Sequence, residues 1–512
     1  MAEPNRFPRP WPHASIPVAF DRRRFIALGA STLLVGTSAG ALASCTQGSP
    51  THSASPTASR PQDAALTPRP GARYTIDELI STTPFYIAHR GSGDNWPEHT
   101  MDAYSHSIAA GAKAIEVSVN ATKDGVLVCH HDTTMAHTSG ENVAIADLTW
   151  AQLTKLKVDA RAWLGPAARL QPIPKLKQVL AAYANTHVIF IEDKQGTNTA
   201  ALLQLMDGYT DSTTRFVWKQ WAAAGQYAAA REHGYKTWGY FTPDLIPKAA
   251  DYAGRFDYLG LLHTSSDAEI SQIVALGKPV IVWEVHYRSM RDRLRRLGVV
   301  GMMCSNIPYV ADLVAPAGRD AFGTGLRAAG DLPWTVDQGW DVQPVIDATG
   351  RSVRIAHSGI QSYLMGSMSP LAHDRHTITA RMRWPETLPQ PTEHAGVAFG
   401  QADDQPYRVS VPASVGGYHA ILRASGALEL YSRAAGVAAG TRLASIATEA
   451  PTVGEWVELS IRITPDSIVV TRSGSSAWKI ESSDHDYRGG YFWLCKNYDA
   501  PVPVDFSSVA VL

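Results

Sequence analysis

Between Phe85 and about Val310 the chain alternates short apolar runs with helix-length stretches of mixed polarity. The runs lie at 85–89, 114–119, 126–130, 187–193, 215–219, 236–241, 257–262, 279–285 and 300–304. The second and third are joined by Asn120-Ala121-Thr122-Lys123-Asp124-Gly125, which is too short for a crossover helix and predicts a hairpin. Setting that hairpin strand aside leaves eight strands alternating with helices over about 230 residues, the pattern of a (β/α)8 TIM-type barrel. In that fold, polar residues at the C-terminal ends of the strands face the active-site mouth.

Beyond about residue 320 the texture changes to strict alternation without a helical period. Val457, Leu459, Ile461 and Ile463 alternate with Glu458, Ser460 and Arg462, and Ile378, Ala380 and Met382 with Thr379, Arg381 and Arg383. About ten such segments with Gly-rich turns predict an antiparallel β-sandwich. The stretch from Trp456 through Tyr491-Phe492-Trp493-Leu494 to Phe506 resembles a concanavalin or laminin-G type jelly roll. Trp340, Tyr418, Tyr431, Trp456, Trp493 and Tyr498 are candidates for stacking on carbohydrate, although most sandwich aromatics are core.

The N-terminal segment reads as an address. Arg22-Arg23-Arg24-Phe25-Ile26 opens an apolar run of about 18 residues that closes on Leu42-Ala43-Ser44-Cys45. Asp21 to Ile26 resembles a twin-arginine export motif and Leu42 to Cys45 a bacterial lipoprotein box, implying an exported protein tethered to the outer face of the cytoplasmic membrane through a lipid on Cys45, or a secreted one. An uncleaved anchor and a plain secretory signal are the alternatives. Residues 46–72, rich in Ser, Thr, Pro and Ala, predict a flexible tether. The expected division is therefore signal 1–45, linker 46–72, barrel 73–318 and sandwich 319–512.

Composition narrows the function classes. The 512 residues are 45% hydrophobic, enough for two cores, and 46 basic against 47 acidic residues leave a net charge of -1. That balance gives no electrostatic footprint for nucleic acid. Setting Cys45 aside, Cys129, Cys304 and Cys495 are odd in number and widely spaced, which argues against a disulfide framework.

The chemistry gathers at the predicted strand ends. His89-Arg90-Gly91 follows the first apolar run, Glu116 lies in the second, His131-Asp132 ends the hairpin strand, and Glu192 with Lys194 ends the next. Two histidines, two carboxylates and cationic groups at one mouth suit phosphodiester cleavage, which needs an acid, a base and positive charge facing the phosphoryl oxygens.

These residues closely resemble the glycerophosphodiester phosphodiesterase family. Its pattern of His-Arg-Gly, Pro-Glu-Asn-Thr, Glu-x-Asp, Thr-x-Asp-Gly, His-Asp and Glu-x-Lys is met by His89-Arg90-Gly91, Pro97-Glu98-His99-Thr100, Glu116-Val117-Ser118, Thr122-Lys123-Asp124-Gly125, His131-Asp132 and Glu192-Asp193-Lys194. The resemblance implies His89 and His131 as general acid and base, Lys194 and Arg90 on the substrate phosphate, and Glu116 and Glu192 as ligands of a divalent cation. Carboxylate oxygens select Mg²⁺ or Ca²⁺. Arg90 pairing with Glu98 is an equal alternative to a phosphate contact. Ser118 stands where the family has Asp, so weak cation binding is expected, with Glu284 a candidate to restore the lost charge. The expected reaction is hydrolysis of an extracytoplasmic glycerophosphodiester or glycerol-phosphate polymer; another phosphodiester, a glycan, or a non-catalytic binding role are the alternatives.

Overall fold

The computed structural model describes residues 73–332, 344–356, 362–369, 374–405, 415–497 and 501–512. The expected signal and tether, with Cys45, and two of the sandwich aromatics, Trp340 and Tyr498, lie outside the described residues.

Nine strands build the N-terminal sheet: β1 (Phe85–Ala88), β2 (Ala114–Ala121), β3 (Leu127–Cys129), β4 (Val188–Asp193), β5 (Phe216–Trp221), β6 (Lys236–Tyr240), β7 (Tyr258–Leu262), β8 (Val280–Val285) and β9 (Gly301–Cys304). Eight of them pair in parallel, β1 joining β9 on one side and β2 on the other, which closes the barrel. β3 returns antiparallel on β2 through Thr122 to Gly125, as the short connection predicts. Gly125 takes φ +77°, and the Thr122 hydroxyl donates to Asp124 while accepting the Val126 N–H.

Strand alternation sorts the side chains. Phe85, Ile87, Ala114, Val188, Phe190, Val217, Trp238, Tyr258, Ile281 and Met303 form one buried cluster, joined by Ile76 and Leu79 of the short helix Ile76–Ile80. The alternate residues, among them Ile115, Val117, Ile189, Ile191, Phe216, Trp218, Leu259 and Val282, belong to a second cluster with the helix residues Leu176, Val179, Leu180, Leu202, Met206, Ile270 and Ile273. Each such fully buried aliphatic or aromatic side chain contributes about 1.5–3 kcal/mol. The first cluster fills the barrel interior and the second glues the helices to its outside.

The C-terminal residues form two antiparallel sheets of seven and six strands among the described residues, rather than about ten strands in all. The additional ones, such as Val345–Asp347 and Ser362–Leu364, have three residues each, too few for alternation to stand out. His376–Arg383 pairs with Val457–Ile463 in one sheet, and His394–Gln401 with Gly417–Arg423 in the other. Ile378, Ala380, Met382, Val457, Leu459, Ile461 and Ile463 are buried in one core with Val397, Phe399, Leu428 and Leu430 of the opposite sheet. Of the candidate stacking aromatics, Trp493 and Tyr418 are buried, and Trp456 lies 4.5 Å under the Arg383 guanidinium. Trp493 and Tyr418 therefore offer no open platform. Cys129, Cys304 and Cys495 are buried free thiols.

Candidate active site

The same alternation that fills the barrel with apolar side chains brings polar ones inward at its upper end. Ala114 is followed two and four residues later by Glu116 and Ser118, Phe190 by Glu192, Val217 by Lys219, Trp238 by Tyr240 and Ile87 by His89. Glu116 and Ser118 are completely buried, and Glu192, Lys219 and His89 nearly so. Strand register sets Ser118 opposite Glu192 and Ile191 opposite Trp218, so that Glu116, Glu192 and Lys219 converge.

Lys219 was not among the residues expected at the site, yet it is the centre of it. Its Nζ lies 2.8 Å from Glu116 Oε1 and 3.0 Å from Glu192 Oε2. Glu116 Oε1 also accepts from the Ser118 hydroxyl (3.0 Å) and Oε2 from the Arg90 N–H (3.0 Å). Glu192 Oε1 accepts from the Tyr240 hydroxyl at 2.7 Å and from Lys194 Nζ at 3.3 Å. Burial opposes the charge on Glu116, but Lys219 foremost, with His89 and His99, holds its carboxyl well below the usual range. Burial likewise works against the Lys219 ammonium, and Glu116 and Glu192 outweigh it, raising its pKa.

The two expected acid-base histidines flank this cluster. His131 Nδ1 lies 2.7 Å from Asp132 Oδ1, and its Nε2 lies 3.4 Å from Lys194 Nζ. Burial, Arg90, Lys194 and Lys219 push its pKa well down, so the ring is neutral. His89 Nδ1 is 3.1 Å from the Ser305 hydroxyl and 3.8 Å from Glu284 Oε1; burial lowers its pKa to about 4 although Glu284 pulls the other way. His89 joins the cluster beside Arg90, whose N–H donates to Glu116, and His131 joins it through Lys194, which pairs with Glu192. Lys194 keeps 18% of its side chain exposed, against 5% for Lys219, so Lys194 is the better placed ammonium for an incoming anion. His130, on the other strand face, is tied to the Asp132 carbonyl and the Thr138 hydroxyl.

The loop after β1 owes its shape to glycine and to a helix cap. Gly91 sits at φ +78°, and a Cβ there would lie 2.8 Å from Ala103 Cβ. Arg90 is turned into the left-handed region at φ 54°, which aims its N–H at Glu116 while Nη1 meets Glu98 Oε2 at 3.0 Å. Its Nη2 is 3.6 Å from Glu284 Oε1. Arg90 thus pairs with Glu98, while its buried Nε has no hydrogen-bond partner among the described residues. The loop ends on Thr100, whose hydroxyl accepts the Ala103 N–H and caps helix Met101–Ala109.

Glu284 does reach the mouth, but among cations. Besides Arg90, it lies 3.6 Å from His286 Nε2, and the other ring nitrogen of His286 is 2.6 Å from Asp94 Oδ2. Burial disfavours the His286 imidazolium, yet Asp94 foremost and Glu284 raise its pKa to about 10, so the ring is charged. Asp94 and Lys219 are the site residues that strand-end reasoning missed.

A divalent ion on Glu116 and Glu192, as the sequence resemblance implies, does not fit the residues present. The space between the two carboxylates holds an ammonium, the third position is a hydroxyl that donates to Glu116, and both Glu116 oxygens already accept from protein groups. Among the described residues, no group of three His, Cys, Asp or Glu side chains is arranged to hold a metal.

Residues 89–307 match the glycerophosphoryl diester phosphodiesterase family. The chain is 40% identical over 84 residues to a probable glycerophosphodiester phosphodiesterase 1 of Mycobacterium tuberculosis, covering 16% of this chain and 31% of the relative. It is 36% identical over 110 residues to the Bacillus subtilis protein YhdW, described as a glycerophosphodiester phosphodiesterase, covering 22% and 44%. It therefore spans less than half the length of these curated relatives. A solved Oleispira antarctica phosphodiesterase aligns at 18% identity and a TM-score of 0.40, over 46% of this chain and 98% of the other. The match to a glycerophosphoryl diester phosphodiesterase family domain is confined to residues 89–307 of this chain.

Proposed function

We propose that the barrel mouth hydrolyses a phosphodiester carrying a glycerol group, with His89 and His131 as the acid-base pair. The observation that carries this reading is the contact of the neutral His131 with Lys194, whose ammonium sits 3.4 Å from His131 Nε2 at the open side of the cluster. A phosphodiester anion docked against Lys194 brings its reacting oxygens to that nitrogen. His131, with Nδ1 held by Asp132, presents Nε2 as the base that takes a proton from the attacking water as its oxygen bonds to phosphorus and the P–O bond to the leaving alcohol breaks. His89, protonated from solvent and favoured as imidazolium by Glu284 at 3.8 Å once the substrate anion is bound, gives its own proton to the leaving oxygen, while His131 later releases the one it took. The Lys194 ammonium faces the charge that develops on the phosphoryl oxygens. Lys219 contributes from behind, where it neutralises Glu116 and Glu192.

The family match of residues 89–307 and the relatives described as glycerophosphodiester phosphodiesterases support a glycerol-linked substrate. Export, with the domain tethered outside the cytoplasm through Cys45, belongs to the same proposal and is supported by Arg22 to Ile26 and Leu42 to Cys45. The test is a substrate panel on the full chain: sn-glycero-3-phosphocholine, bis(p-nitrophenyl) phosphate and a p-nitrophenyl glycoside. Release of alcohol from the diesters and none from the glycoside is expected. Turnover of the glycoside alone, or of nothing, would overturn the reading.

A further inference from the structure

We propose that Lys219 is the built-in cation of this site: its ammonium takes the place between Glu116 and Glu192 that a divalent ion would occupy, and the native protein neither binds nor uses one there. The inference builds on the phosphodiester reading for its effect on turnover, whereas its claim about binding stands on geometry.

Three observations converge on it. Position comes first: Lys219 is on β5, two residues beyond the interior Val217, so the strand alternation sends its side chain into the barrel, where it bridges two carboxylates from β2 and β4 at 2.8 and 3.0 Å. Charge comes second. Glu116 and Glu192 are balanced by Lys219 and Lys194, and a divalent ion added to this buried group would leave it with two uncompensated positive charges. The ligand set comes third. A hard cation asks for six or more oxygen ligands, but Ser118 spends its hydroxyl on Glu116, Tyr240 donates to Glu192, and Glu284 is turned toward Arg90 and His286. An ammonium suits the site, since it donates to Glu116 Oε1, pairs with Glu192 Oε2 as an ion pair at 3.0 Å and brings one positive charge.

The same reasoning makes Ser118 and Lys219 a matched pair. Restoring a carboxylate with Ser118→Asp while Lys219 stays adds negative charge without freeing the space. Removing Lys219 at the same time frees that space and leaves three carboxylates around it.

The experiment uses Mn²⁺ as the probe, followed by electron paramagnetic resonance on the full chain, beside diester turnover before and after dialysis against EDTA. The native protein and Ser118→Asp are expected to show no bound Mn²⁺ in the micromolar range, and native turnover is expected to survive EDTA unchanged. The double variant S118D/K219S is expected to bind one Mn²⁺ at least about 100-fold more tightly than the native chain. One Mn²⁺ held by the native chain at micromolar concentration, or EDTA-abolished turnover restored by Mg²⁺, would overturn the proposal. Should the double variant fail to fold, the native arm decides alone. Absent Mn²⁺ binding together with absent hydrolysis would support the ammonium-filled site while rejecting the phosphodiester reading, so the two fail separately.

Discussion

The Asp404 carboxylate, in the loop after the sandwich strand His394–Gln401, accepts the backbone N–H of Arg288 at 2.6 Å, at the start of the helix Arg288–Arg296. Its other oxygen accepts the Ser289 N–H at 2.8 Å, and the Tyr309 hydroxyl donates at 2.9 Å to the same oxygen as Arg288. A residue of the second sheet region therefore supplies the N-terminal cap of the helix that follows β8, the strand bearing Glu284, with His286 just beyond its end. Around it, Tyr287 and Tyr309 pack with Leu364, Ala398, Tyr491 and Trp493 in a shared apolar cluster.

Replacing Asp404 by Ala leaves two helix N–H groups and a buried hydroxyl without their acceptor. The expected cost is about 2–4 kcal/mol of unfolding free energy, in the range of a lost cap combined with buried unpaired donors. Urea denaturation of both proteins measures it. A loss below about 0.5 kcal/mol would mean that water replaces the carboxylate and that the contact holds nothing together.

His286 gives the site a pH signature of definite sign. Its folded-state pKa, raised to about 10 by Asp94 and Glu284, lies above the ordinary histidine value of 6.5. The stabilisation from this charged ring is fully present below about pH 6.5 and is lost as pH rises toward about 10, on the order of a few kcal/mol. His286→Asn should therefore cost more stability at pH 6 than at pH 10. Equal costs at both values, measured by denaturant melts, would show the ring to be neutral in the native protein.

How much of this was legible in the sequence follows from where each partner comes from. The barrel strands were legible because each is a dense apolar run closed by turn residues, and the structure returns all nine close to their expected limits. His89, Glu116, His131, Glu192 and Lys194 were legible as polar residues ending such runs, and the structure brings them to one mouth. Lys219 stood in plain view at the end of the run 215–219. Its meaning depended on parity: sharing the inward face with Val217 obliges a lysine to find buried counter-charges, and that test was the signal that would have found it. Asp94 beside His286 had no such signal, because the two residues are 192 positions apart and meet only once the barrel closes. The thirteen sandwich strands were undercounted for a simpler reason, since a strand of three residues shows no alternation.

The acid-base role of the histidine pair is tested most directly by the turnover number of His131→Ala on sn-glycero-3-phosphocholine, read as release of sn-glycerol 3-phosphate, with a thermal melt on the same sample. His131 is half-buried, with 26% of its side chain exposed, and among the described residues its hydrogen bonds reach only Asp132 and Lys194, so its loss should barely move the melting temperature. Turnover should fall by about 10²- to 10⁴-fold, the range for losing a general acid or base. Turnover within a few-fold of the native protein, or a fall matched by an equal loss of folded protein, would contradict that role.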